Sequence, residues 1–94
     1  MIVTMDIDKK LERYFNITNR ALNEIKIKKV ELNSDEVAKD FLDMAKRYYE
    51  DANYFLKKGD KLTALAAIAY AHAWLDAGAR LKIFKVKDSR ILMQ

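Results

Sequence analysis

The chain contains no proline, and its only two glycines stand at positions 59 and 78. Proline and glycine are the residues that most often punctuate strands, turns and long loops. A chain of 94 residues with so few of them has little means of connecting the strands of a sheet. We therefore expect an all-α fold, built as a single helical-bundle domain over residues 1–94.

Three stretches have the spacing of amphipathic helices, and we predict helices over about residues 6–28, 34–58 and 61–82, in up-down-up order. In the first stretch, apolar side chains recur at alternating steps of four and three residues. The second begins at Asn33 and Glu36, which have the spacing of a capping box. These helices should pack as a three-helix bundle.

The middle of the second helix repeats every seven residues. A small row is formed by Ala38, Ala45 and Ala52, and an aromatic row beside it by Phe41, Tyr48 and Phe55. Small residues permit close helix approach, and the aromatic rings fill the gaps beside them. The third helix has eight alanines between residues 64 and 79, so it should be thin. Its predicted inward stripe is Leu65, Ile68, Ala69, His72, Leu75 and Ala79.

The sequence KKGDK, at residues 57–61, predicts a tight helical hairpin. Gly59 suits the left-handed backbone conformation that ends many helices, and Asp60 is a favourable N-cap for the next one. The two lysines before Gly59 suit the negative carboxyl end of the second helix.

Basic residues are concentrated at the carboxyl end of the chain. Residues 1–79 carry 13 Lys or Arg and 13 Asp or Glu, whereas residues 80–94 carry five basic residues and Asp88 alone. A neutral body with a basic, partly apolar end predicts an attachment segment for an acidic partner. We expect this C-terminal extension, residues 83–94, to continue the third helix as a frayed end. The predicted partner-binding residues are Lys82, just before this extension, and Phe84, Lys85, Lys87 and Arg90 within it.

The composition argues against several classes of site. The chain has no cysteine, which excludes disulfides and thiolate metal sites and fits a cytoplasmic location. No apolar run approaches the ~20 residues that a membrane span needs, and the N-terminus has no signal-peptide pattern. One histidine without a glutamate three residues before it does not match a di-iron bundle. We expect no catalytic residue, metal or cofactor.

Any catalytic activity would depend on His72, the one histidine of the sequence. Asp76 and Arg80 follow it at successive turns of the third helix, so an imidazole, a carboxylate and a guanidinium lie in line. The simpler interpretation is a histidine at the edge of the core beside an ordinary ion pair. Exposed tyrosines and the only tryptophan, Trp74, suggest a contact strip for a protein or for single-stranded RNA. The charge balance of the second and third helices favours the protein.

The stretch YYEDANYFLKKGDKLTALAAIAYAHAWLDAGARL, residues 48–81, resembles the signature region of the archaeal family called domain of unknown function 357. The resemblance implies a three-helix bundle with a left-handed twist and no assigned activity. The positions that match are Asp51, Gly59, Asp60, Trp74, Asp76 and Arg80. In the family a glycine often follows the Arg-Leu pair, where this chain has Lys82, and its absence allows a longer third helix.

Together these features favour a non-enzymatic helical protein-interaction module whose partner is unidentified. Its predicted contacts are the face of the second and third helices and the basic tail, with a functional patch of Asp51, His72, Trp74, Asp76 and Arg80. Two alternatives remain open: an RNA-associated accessory protein that binds nucleic acid through the tail, and an enzyme that uses His72 with Asp76. A homodimer also remains open, because aromatic side chains left outside the bundle could pair.

Overall fold

The computed structural model describes residues 7–85, and three α-helices account for 78% of them. Their bounds are α1 Ile7–Glu24, α2 Ser34–Lys57 and α3 Lys61–Arg80. No strand occurs in this part of the chain. The prediction of an all-α fold with three helices is therefore confirmed, and α2 and α3 pack against each other.

The chain divides into two compact units, Met1–Val30 and Glu31–Gln94. The first unit contains α1, and the second contains the hairpin of α2 and α3. α1 ends at Glu24, although the sequence predicted a helix as far as residue 28. The segment that follows it, IKIKKV, combines β-branched residues, which favour helix weakly, with neighbouring lysines that repel one another. The single domain over 1–94 stays a prediction.

α2 begins with the predicted N-cap. The Asn33 side-chain oxygen accepts hydrogen bonds from the backbone N–H of Asp35 at 2.9 Å and of Glu36 at 3.2 Å. Two of the backbone donors that a helix leaves without partners at its start are thereby satisfied. An N-cap of this kind stabilises a helix by about 1 kcal/mol, which explains why α2 starts sharply after the irregular segment.

The turn between α2 and α3 has the predicted glycine geometry. Gly59 has a φ of 81°. Its N–H donates to the Leu56 carbonyl at 3.0 Å, and the Asp60 N–H donates to the Phe55 carbonyl at 2.9 Å. This pair of bonds is the Schellman motif, which ends a helix at a left-handed residue. Asp60 then caps α3, because its carboxylate accepts from the Thr63 N–H at 3.1 Å.

The seam between α2 and α3 is made of small residues. Within residues 7–85 the buried apolar side chains are Ala45, Ala52, Ala64 and Ala71, with exposed fractions of 4 to 7%, and Gly78 is also buried. Ala45 and Ala71 line one cavity together, and Ala52 and Ala64 line the next. Residue numbers rise along α2 as they fall along α3, so the helices are antiparallel. The predicted small row of α2 is confirmed at Ala45 and Ala52.

The predicted inward stripe of α3 is wrong by one position. Leu65 is 63% exposed and Ile68 is 39% exposed, and His72 is exposed as well. The residues that enter the seam are instead Ala64, Ala71 and Gly78. Small side chains on both helices let the backbones approach closely, and this leaves no room for leucine or isoleucine between them. The larger residues therefore flank the seam.

α3 ends in a second Schellman motif, this time without glycine. The Lys82 N–H donates to the Ala79 carbonyl at 3.0 Å, and the Ile83 N–H donates to the Gly78 carbonyl at 3.1 Å. Lys82 takes the left-handed position, with a φ of 61°. The predicted continuation of the helix is therefore wrong for residues 83–85, and residues 86–94 lie outside the described part of the chain.

We expect Lys82→Gly to raise the free energy of unfolding by about 0.5–1 kcal/mol. A side chain in the left-handed region costs about 1–2 kcal/mol, and glycine removes this strain. Part of the gain is offset because glycine loses more conformational entropy on folding. Urea denaturation of the two proteins measures the difference. Lys85→Gly is the matched control, because Lys85 is exposed and has no positive φ. A lower free energy of unfolding for Lys82→Gly would show that the positive φ of Lys82 is not strained.

Candidate functional site

Aromatic rings cover one flank of the seam, which we call the aromatic flank. Phe41 of α2 meets Trp74 of α3 edge to face, with ring centroids 5.0 Å apart. Tyr48 stacks on Tyr70 with centroids 4.3 Å apart, and Tyr70 stacks on Trp74 at 6.4 Å. Such pairs contribute about 0.5–1.5 kcal/mol each beyond the apolar area that they bury. These rings therefore hold α2 and α3 together, as predicted for Phe41 and Tyr48 of the aromatic row.

Trp74 has one unusual feature. Its indole Nε1 is buried and has no hydrogen-bond partner within the described residues. A shallow cavity of about 580 Å³ adjoins the ring and is floored by alanines of α3. The ring therefore acts mainly through packing, because the polar atom that could bind a ligand is covered.

The opposite flank of the seam carries aliphatic side chains and forms an open groove. Two adjoining cavities, of about 270 and 350 Å³, share Tyr49 and Ile68 and so form one continuous surface. We call this surface the aliphatic groove. Its floor is the alanine seam, and its walls are Leu42, Tyr49, Leu56, Leu65, Ile68 and Leu75. Tyr49, Leu56 and Leu65 are each more than half exposed. The groove is thus a continuous apolar surface of the hairpin.

Two lysines and the histidine line the groove. Lys46 and His72 line the first cavity, and Lys61 lines the second. Neither cavity is lined by a carboxylate. Lys46 and Lys61 have no ion-pair partner within residues 7–85. Within the described part of the hairpin, the ion pairs use other residues: Arg47 with Asp43 at 2.9 Å, and Arg80 with Asp76 at 3.6 Å.

The predicted functional patch is divided between different surfaces. His72 lines the aliphatic groove, whereas Trp74 belongs to the aromatic flank and lines a different cavity. Asp76 and Arg80 form the ion pair just described, and Asp51 is exposed on α2. The structure therefore brings Asp76 and Arg80 together but places His72 and Trp74 apart. A functional role for these five residues stays a prediction.

Three of the predicted tail residues are described, and two are not. Lys82 and Lys85 are exposed, while Phe84 is half-buried against α3. A Cβ added at Gly78 would meet the Phe84 ring before any other atom outside its own helix. Lys87 and Arg90 lie outside the described residues. The start of the tail is thus fixed to α3 through Phe84.

Sequence reasoning missed the walls of the aliphatic groove. Leu42 and Leu56 were not singled out, and Leu65 and Ile68 were assigned to the core. The heptad of small residues on α3, Ala64, Ala71 and Gly78, was the signal that could have found them. It matches the heptad of α2 and would have placed the larger side chains beside the seam.

Residues 7–85 contain neither a membrane-spanning helix nor a cluster of metal-ligating side chains. None of the three helices has the combination of length and apolar character that a membrane span requires. No cluster of three or more histidine or acidic side chains within that range has the geometry to hold a metal ion.

Comparison with known proteins assigns the chain to a family but not to an activity. Neither a curated protein nor a solved structure matches it. The sequence model of a family described as "Protein of unknown function (DUF357)" matches residues 13–84, a range that includes α2, the glycine turn, α3 and Phe84. The chain therefore belongs to the DUF357 family.

Proposed function

We propose that this protein is a helical interaction module that binds a helix of a partner protein in the aliphatic groove. The observation that carries the proposal is the inverted distribution of side chains in the hairpin. Its buried residues are alanines and a glycine, while Leu65 and Leu56 are 63% and 56% exposed. Contiguous exposed apolar surface of this kind marks interaction sites in soluble proteins.

The shape of the groove supports a helix as the bound element. The two antiparallel helices leave a straight furrow between Leu42 and Leu75 at one end and Leu56 and Leu65 at the other. A third helix can place side chains at i, i+3, i+4 and i+7 into such a furrow. The narrow alanine floor lets this helix sit close to both walls.

The basic tail is the second part of the proposed contact. Lys82 and Lys85 are exposed beside the fixed Phe84 and would meet acidic groups of the same partner. The cytoplasmic location and the existence of a protein partner stay predictions.

The test is affinity capture with two leucine variants of the full chain. Leu65→Glu places a carboxylate in the groove, whereas Leu62→Glu makes the same change on α3 at a residue that lines neither groove cavity. The two leucines are 63% and 54% exposed, so both variants should fold. We expect a partner captured by the natural chain to bind at least about tenfold more weakly to Leu65→Glu, as for an interface residue worth over 1 kcal/mol.

Leu62→Glu should retain the partner at the original affinity. Equal binding by both variants would show that the partner binds outside the groove. Retention of RNA alone, with a steep loss between low and moderate salt, would support the RNA-associated alternative instead.

A further inference from the structure

We draw no further inference here: the strongest candidate, the aliphatic groove between α2 and α3, belongs to the site already described, and nothing in the structure shows what covers it.

Discussion

Ala71→Leu is expected to lower the free energy of unfolding by about 2–3 kcal/mol, the upper part of the range for overpacked cores. Ala71 is 4% exposed and lies in the seam, where it lines a cavity with Ala45 of the facing helix. Leucine adds three carbon atoms at a point where the two backbones approach closely. Either the new side chain adopts a strained rotamer or the helices move apart.

Separation of the helices would also weaken the aromatic flank. Tyr48 and Tyr70 stack with centroids 4.3 Å apart, and Phe41 meets Trp74 at 5.0 Å. Both pairs join α2 to α3, so a wider seam costs part of their attraction as well. We therefore expect the near-UV circular dichroism of Ala71→Leu to decrease together with its stability.

Ala73→Leu is the control for this prediction. Ala73 is on the same helix, is exposed and does not line the groove. Alanine and leucine both favour helix, so the change should alter the free energy of unfolding by less than about 0.5 kcal/mol. Equal effects of the two substitutions in urea denaturation would show that the alanine seam is not the tightly packed part of the hairpin.

Local signals in the sequence predicted where α2 begins and ends and where α3 begins. Gly59 can adopt positive φ without strain, and Asn33 and Asp60 have side chains that accept from free N–H groups. These preferences act within a few neighbouring residues, so they do not depend on the packing of the rest of the chain. The alanine and aromatic rows of α2 were predictable for a similar reason, because a repeat of seven keeps each row on one face.

The orientation of α3 depended on long-range packing and could not be read from hydrophobicity. With eight alanines between residues 64 and 79, several faces of this helix are apolar enough to be buried. The prediction placed the largest apolar side chains, Leu65 and Ile68, in the core. In the structure α3 approaches Ala45 and Ala52 of α2 closely, so its smallest residues face the seam. The aliphatic groove, and with it the candidate site, was missed for the same reason.

The end of α3 was unpredictable for a different reason. Lysine seldom adopts positive φ, so nothing at position 82 signalled a stop. The stop is instead supported from outside the helix, where Phe84 lies against Gly78. A bulky ring can pack there only because residue 78 has no side chain, and it can reach that point only because the chain reverses at Lys82.

The contact between Phe84 and Gly78 gives the second large prediction. Gly78→Ala alone should lower the free energy of unfolding by about 1–2 kcal/mol. Alanine would raise helix propensity by about 1 kcal/mol, but its Cβ would overlap the Phe84 ring, whose atoms are the three nearest to it. The half-buried ring must then shift, and an overpacked contact typically costs about 1–3 kcal/mol.

In a Phe84→Ala background the same substitution should have the opposite sign. Without the ring, only the gain in helix propensity remains, so Gly78→Ala should stabilise the protein by up to about 1 kcal/mol. The difference between the two backgrounds is the coupling between positions 78 and 84, expected at about 2–3 kcal/mol, the upper end for residues in contact. Urea denaturation of the natural chain, both single variants and the double variant measures it.

A stabilising effect of Gly78→Ala in both backgrounds would contradict the contact, since it would mean that the ring yields without loss. The expected reversal of sign would instead show that Phe84 is held by α3 and that the direction of the basic tail is set there. Groove and tail start are then joined through α3, because Gly78 continues the heptad of Ala64 and Ala71, which floor the groove. A partner bound in the groove would thus find Lys82 and Lys85 at a fixed place beyond the end of α3.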